Sequence, residues 1–427
     1  MLKKLRLENF KNFKNAELHL GNFTILVGNN ASGKSNIRDA LRFLHGISRG
    51  YNLAEIMGEK YVEGGVLQWR GIRGGTREIT FTNANTFGLE VSFSIQQGTS
   101  EQELIYCIEV NPKAGNKTPN VIKETLKIVG QEDNFLEAQL IAESKQDSFI
   151  VKLLNSPITN RPTPFSSHQP IISQLAELAT DVSIEGGGLV PATSIRGVAK
   201  ATLQAFSSMR FLDLNPDITR MPSLPGQTIL GDRGENLSSV LLDICQDPQK
   251  KETLLEWIQE LTPMDAKDFE FPTDFTGKTL LTLVEKNGQK ISAYSASDGT
   301  LRFLAMIAAL LGSDPAKIYF FEELDNGIHP TRLHLLLQLI ERQVSQGKIQ
   351  VIATTHSSQL LRLISPQTLE SVSLTYRLEN RPDAKIIRIL DIPNAKQVLE
   401  KQSLAHLHES AWLENVMEFT SDDEVEG

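Results

Sequence analysis

"FTILVGNNASGKS", residues 23–35, decides the fold. Phe23 to Val27 is a short apolar run of the kind that makes a strand buried on both faces, and Asn36 to Leu44 carries apolar residues at helical spacing. Between them Gly28, Asn29, Asn30, Ala31, Ser32, Gly33, Lys34 and Ser35 meet every fixed position of the phosphate-binding P-loop, with Asn36 next in line. The residue types follow from the chemistry. Glycines let backbone N–H groups converge on phosphate oxygens, and the helix N-terminus adds its partial positive charge. Lys34 reaches the β and γ phosphates, while the Ser35 hydroxyl holds Mg2+. ATP and Mg2+ are therefore the expected cofactors.

A second stretch, "IYFFEELDNGIHP" at residues 318–330, poses an electrostatic problem that the first one solves. Ile318 to Phe321 reads as a buried strand running straight into Glu322 and Glu323. Adjacent carboxylates raise each other's pKa and are costly to bury unless a cation lies close. Mg2+ is that cation. Glu322 is expected to bind it through water, usually the task of an Asp, and Glu323 to polarise the attacking water.

At 427 residues the chain exceeds what one compact core usually holds, so two lobes are expected. Its 40% hydrophobic and 22% charged residues are ordinary for a soluble globular protein. Cys107 and Cys245 are too few for a disulfide framework, which suits a reducing cytoplasm. The start "MLKKLRLENF" alternates leucine with charge instead of offering an apolar signal core, and no run of about eighteen apolar residues occurs. No membrane span and a cytoplasmic location are expected. A net charge of -9 argues against coating nucleic acid with the whole surface. Arg70, Arg73 and Arg77 in "QWRGIRGGTRE" form a basic, Gly-rich run compatible with phosphate contact, though such a run is more often a solvated loop. The closing "SDDEVEG" is expected to be a solvated acidic tail.

Along the chain, residues 78–152 alternate as antiparallel strands, and residues 156–264 change to helix-like runs broken by Pro and Gly. The expected organisation is 1–155 as the first part of a head, 156–264 as an inserted, mostly helical lobe, 265–395 as the second part, and 396–427 as a C-terminal helix and tail. Asn287-Gly288 between two apolar runs predicts a hairpin turn. Beyond it helix and strand alternate, as in a parallel sheet covered by helices.

"SASDGTLR", residues 295–302, precedes one of those helices. Ser297 suits its N-cap, and Gly299 lets backbone approach a phosphate, which makes a second anion site. The Ser-Asp-Gly-Thr core resembles the signature motif of the ABC ATPase superfamily. "ELDNGIHP" resembles the D-loop region of its SMC, RecF and OLD-like branch, with Leu324-Asp325 standing for Pro-Glu. "VIATTHS" places His356 past a buried strand, where this superfamily keeps a switch histidine that senses the γ-phosphate. "LRLENFKNF" resembles the opening of SMC and RecF-like heads, where a basic residue, here Lys11, approaches the nucleotide. "GDRGENLSSVLLDI" resembles a segment of bacterial RecF-like ATPases with no assigned chemistry, and Gln68 is the candidate for the metal-side Q-loop glutamine.

The resemblance implies an α/β fold: a P-loop ABC-type ATPase head with a mixed sheet, flanking helices and an antiparallel β subdomain. It implies catalytic roles for Glu323, His356 and Lys34, and a homodimer in which the signature of one protomer covers ATP held by the other. Action on DNA or a DNA-bound assembly follows from it too, in repair or defence against phage, with a separately encoded effector such as a nuclease. No TOPRIM domain is expected in the residues after His356. Two other readings stand beside this one. The ATP-binding subunit of an ABC membrane transporter would share the P-loop and signature, but rarely the "ENFKNF" start or the "NGIHP" stretch. A clamp that binds ATP without hydrolysing it is disfavoured by Glu323 and His356.

Overall fold

The computed structural model describes residues 1–97, 100–112, 118–142, 147–160, 165–261, 266–378 and 381–423. Contacts divide the chain into two units, each threaded several times by the chain. The first comprises Met1–Gly21, Gly28–Ser208 and Ser373–Arg388; the second comprises Asn22–Val27, Met209–Val372 and Ile389–Gly427.

The first unit is built on a long antiparallel sheet. Its strands run in the order 189–190, 182–184, 156–160, 147–153, 134–142, 120–128, 100–111, 87–97, 2–10 and 13–19. Alternation dictates this: Leu5 and Leu7 on one strand, Leu89, Val91 and Phe93 on the next, and Tyr106 and Ile108 beyond it are all buried. The helices Lys34–Ser48 and Ala192–Ser207 bring aromatic side chains to the same core. Phe43 meets Phe87 edge-on at 5.4 Å, and Phe206 meets Phe93 at 5.1 Å. Buried His45 fixes the two helices to each other through its Nδ1 contact with the Phe206 carbonyl, 2.9 Å.

The second unit contains four parallel strands in the order Met209–Leu212, Ile318–Phe321, Gln350–Thr355 and Phe23–Val27. Each of the three strands from Phe23, Ile318 and Gln350 is buried along its whole length, as a parallel sheet covered on both faces requires. The helix Pro330–Ser345 packs on two of them, and Asp298–Leu311 is buried from Thr300 to Leu310. The predicted hairpin is present: Thr282–Glu285 pairs with Lys290–Ser292, and Gly288 sits at φ 86°.

The inserted lobe expected over 156–264 does not form a unit of its own. Its strands at 156–160, 182–184 and 189–190 extend the ten-stranded sheet, and the helix Ala192–Ser207 lies in the first unit. From Met209 onward the segment belongs to the second unit, where it supplies an edge strand and the helices Leu237–Gln246 and Pro248–Leu261. Periodicity identified the helices, but the apolar stripe of Ile195, Ala199 and Phe206 does not say which element covers it. The expected boundary near 264 and the acidic tail after Asp423 lie outside the described residues. Among the described residues no helix is long and apolar enough to cross a membrane.

Candidate functional site

Val27 ends its strand opposite Thr355, and the chain passes directly into the P-loop at Gly28. The loop is made by backbone conformations that side chains resist. Gly28 has φ 148° and Gly33 φ 112°. A Cβ on Gly28 would lie 2.0 Å from the Thr375 carbonyl oxygen, and one on Gly33 would lie 2.6 Å from the Phe13 ring. Ala31 also takes a left-handed conformation, φ 64°, a strain of roughly 1–3 kcal/mol of the sort found at ligand clamps. The helix that follows starts at Lys34 with Gly33 as N-cap, no capping side chain and no acidic residue in its first turn. Its dipole is therefore left for an anion. Lys34 Nζ donates to the Gly28 and Asn29 carbonyls, the latter at 2.9 Å. Ser32 is buried with no hydrogen-bond partner for Oγ. An orphaned hydroxyl, two glycines with no room for a Cβ and an uncapped helix end together fit a phosphate group.

The turn between the first two strands abuts this loop. Asn36 Nδ2 donates to Asn12 Oδ1 at 2.7 Å, and the Asn12 side chain also lies 3.0 Å from the Cβ position of Gly33. Lys11, next to it, is not solvated: its side chain is 9% exposed and its ammonium pairs with Asp39 at 2.9 Å. Arg73 of the basic run pairs with the same carboxylate oxygen at 3.0 Å while staying about half-exposed; Arg70 and Arg77 are exposed too. Gln68 is exposed on the short strand Val66–Trp69. The buried residue there is Trp69, whose indole donates to the Ile56 carbonyl and lies under the Arg42 guanidinium, 4.6 Å away.

In the second unit the acid pair sits at the carboxyl end of its strand. Glu322 N–H donates to the Leu212 carbonyl of the neighbouring strand at 3.2 Å, which continues the parallel register by one residue. Glu323 then turns into φ 50°, a conformation a glutamate adopts only under constraint. Its N–H donates to Thr354 Oγ1 at 2.9 Å, and Leu324 N–H to the Thr354 carbonyl at 3.1 Å. Asn326 Nδ2 donates to the Glu323 carboxylate at 3.2 Å, and His356 Nδ1 stands 4.0 Å from it. The two side chains are 43% and 51% exposed, so both reach solvent or substrate. Leu324 is fully buried, and Asp325 accepts from Thr355 Oγ1 at 2.7 Å, which gives the Leu-Asp pair its local reason.

Arg302 is the residue that motif reasoning passed over. It closes the "SASDGTLR" stretch, is 8% exposed, and donates to the carbonyls of Leu214 at 3.2 Å, Glu322 at 3.1 Å and Glu323 at 3.0 Å. Burial pulls its pKa below the ordinary arginine value, against the opposing pull of Asp213, Glu323 and Asp325. One buried guanidinium thus ties the helix Asp298–Leu311 to the backbone of both glutamates. No spacing rule marks it.

Ser297 caps that helix as expected: its Oγ accepts from Thr300 N–H at 3.2 Å. Gly299 has a different local reason from the expected one, because a Cβ there would lie 2.5 Å from the Gly327 carbonyl oxygen. The turns at Gly299 and Gly327 therefore approach each other closely. Arg220 holds the same turn through an ion pair to Asp298 and a bond to the Ala296 carbonyl, 3.1 Å. Among the described residues no group of three or more His, Cys, Asp or Glu could hold a metal by itself. Burial pushes the Cys107 thiol up to about 11 and that of Cys245 up to about 12, so neither is a nucleophile near neutral pH.

Two family models match. An "AAA ATPase domain" covers residues 1–177, and "AAA domain, putative AbiEii toxin, Type IV TA system" covers residues 191–362. An "ATP/GTP phosphatase" of Helicobacter pylori (strain ATCC 700392 / 26695) is 22% identical over 371 residues, spanning 85% of this chain and 87% of its own. Among solved structures, an SMC head bound to the C-winged helix domain of ScpA matches with a TM-score of 0.51 at 14% identity, over 90% of this chain and 97% of that one. The SMC head of Pyrococcus furiosus bound to the C-terminal domain of ScpA has a TM-score of 0.47 at 14% identity, over 94% and 98%. The fold is the mixed α/β fold of an SMC-type ATPase head. The domain matches and the curated relative support an ATPase.

Proposed function

We propose that this chain is a cytoplasmic RecF/SMC-like ATPase whose two copies close on two ATP molecules and reopen after hydrolysis. The observation that carries the ATP site is the P-loop, where Gly28 is enforced by the Thr375 backbone, Gly33 by the Phe13 and Asn12 side chains, and the helix end is left uncapped. In this reading Gly28 to Ser35 wrap the phosphates, Lys34 leaves the loop carbonyls for the β and γ phosphates, and Lys11 adds a cation. Ser35 and Glu322 hold Mg2+, which when bound draws charge from the phosphate oxygens. Glu323 orients and polarises the attacking water, and His356 beside it senses the γ-phosphate. The exposed Ser297 and the N-terminus of its helix serve the nucleotide of the second copy, a nucleotide-driven switch.

A role in DNA repair or anti-phage defence, through a separate effector such as a nuclease, is part of the same proposal and rests on the resemblance of the motifs. The transporter reading has no observation of its own in its favour. The test is Glu323→Gln. It should keep ATP binding, slow phosphate release by roughly a hundredfold or more, and accumulate dimers in light scattering with ATP. A variant that stays monomeric with ATP while the wild type turns over as a monomer sinks the dimer reading.

A further inference from the structure

Asp39 lies on the P-loop helix one turn beyond Ser35, and its side chain is 1% exposed. We propose that Asp39 is a positioning residue for nucleotide binding: it holds Lys11, together with the loop that carries Arg73, in place beside the P-loop. This rests on the P-loop being the ATP site. Three segments remote in sequence meet at its carboxylate. Lys11 Nζ lies 2.9 Å from Oδ2, Arg73 Nε lies 3.0 Å from the same oxygen, and Lys11 Nζ also donates to the Arg73 carbonyl at 2.5 Å.

Each partner is anchored on its far side. Asn12, adjacent to Lys11, bonds to Asn36 and abuts Gly33, so the lysine backbone is fixed one residue from the loop. The Arg73 loop is clamped where Ile72 N–H donates to the Met57 carbonyl at 3.1 Å and where a Cβ on Gly71 would lie 1.6 Å from the Gly58 carbonyl oxygen. Asp39 thus has rigid surroundings through which to set the position of one ammonium group.

The arrangement is a poor one for stability alone. Apolar packing of similar volume serves as well as a buried ion pair, or better. Moreover Oδ1 of Asp39 has no hydrogen bond, and Arg38 Nη2 stands 3.9 Å from it. A carboxylate placed only to stabilise would fill both oxygens. Lys11, for its part, places two of its three N–H donors on Asp39 and Arg73, and the third remains for a phosphate oxygen.

The experiment is a titration of the full chain with mant-ATP, paired with steady-state turnover. Asp39→Asn should weaken mant-ATP binding about tenfold, the scale of one charge-assisted contact, with the loss in KM more than in kcat. In a Lys11→Ala background the same change should cost less than about twofold, because Asp39 acts through that lysine. Asp39→Glu keeps the charge and shifts it by a methylene; about threefold weaker binding is expected, again absent in the Lys11→Ala background. Wild-type affinity in Asp39→Asn overturns the proposal, as do losses that simply add in the double variant. If Asp39→Asn does not fold, wild-type affinity in Asp39→Glu overturns it. Lys34→Ala separates the two readings. If it still binds mant-ATP the P-loop assignment itself fails, whereas lost binding there with an unaffected Asp39→Asn defeats only the role of Asp39.

Discussion

The P-loop and the acid pair are held in place by opposite means. The P-loop is shaped by its own glycines and by a helix end, within nine consecutive residues against which Thr375, Phe13 and Asn12 pack. The turn at Glu323 is held by side chains: the Thr354 hydroxyl of the next strand, Asn326 nearby, and the Arg302 guanidinium from the helix Asp298–Leu311. Glycine permits its conformation at no steric cost, while Glu323 at φ 50° must be paid for by partners. A loop of the first kind can bind whenever the backbone is folded. A turn of the second kind works only while several segments stay in register, which makes it the natural place for the movement of one element to switch chemistry on or off.

The largest expected effect breaks the first half of that contrast. Lys34→Ala should reduce ATP binding more than a hundredfold, read by isothermal titration, since a charge facing two phosphates is lost. Full binding would mean that loop shape alone suffices, or that the loop is no ATP site. Next in size is the brace of the second half. Arg302→Met removes a buried guanidinium that donates to three carbonyls, of which that of Glu323 keeps the Asn326 N–H, so denaturant melts should show a loss of about 2–4 kcal/mol. Turnover should fall roughly a hundredfold through misplacement of Glu323, with ATP binding largely kept. Unchanged turnover would show that the glutamate holds its own turn, and the contrast would collapse.

The smallest expected effect concerns Glu124, in the long sheet and outside both regions. It is completely buried, and it accepts from Ile171 N–H at 2.6 Å, Ile172 N–H at 2.9 Å and the Tyr106 hydroxyl at 3.0 Å. Burial pushes its carboxyl up to about 7, with those bonds pulling the other way. The folded state therefore binds a proton more tightly than the unfolded chain. That contribution to stability is fully present below the ordinary value of 4.5 and is lost as pH rises through about 7. Melting temperature should drop by a few degrees between pH 6 and pH 8, and Glu124→Gln should flatten the drop. Since Glu124 belongs to the first unit, Arg302→Met should leave the dependence intact, which sharpens the separation between regions.

Much of the candidate site was legible because its chemistry is local. Gly28 to Ser35 need one another within a single turn, and Glu322, Glu323 and His356 are marked by buried strands that run into polar residues. Arg302 and Asp39 were not legible. A charged residue on an amphipathic helix looks the same whether it faces water or is buried against carbonyls from a distant segment. For Lys11 the sequence pointed to the nucleotide, while its ion pair with Asp39 was not legible, since it joins residues far apart along the chain. The lobe expected over 156–264 failed for a related reason: helical spacing tells that a stripe must be covered, never by what.

From its order of residues alone the chain determined a phosphate loop after a buried strand, an antiparallel run, a hairpin at Asn287-Gly288, and acids at the end of a second buried strand. Each follows from backbone sterics and periodicity over a few residues. Tertiary structure alone decided which unit received each half of the central segment, that Gly299 must clear the Gly327 carbonyl, and that Arg302 and Asp39 are buried among partners. Those outcomes depend on where remote segments meet, and the free energy of a buried charge is set by the groups that surround it after folding.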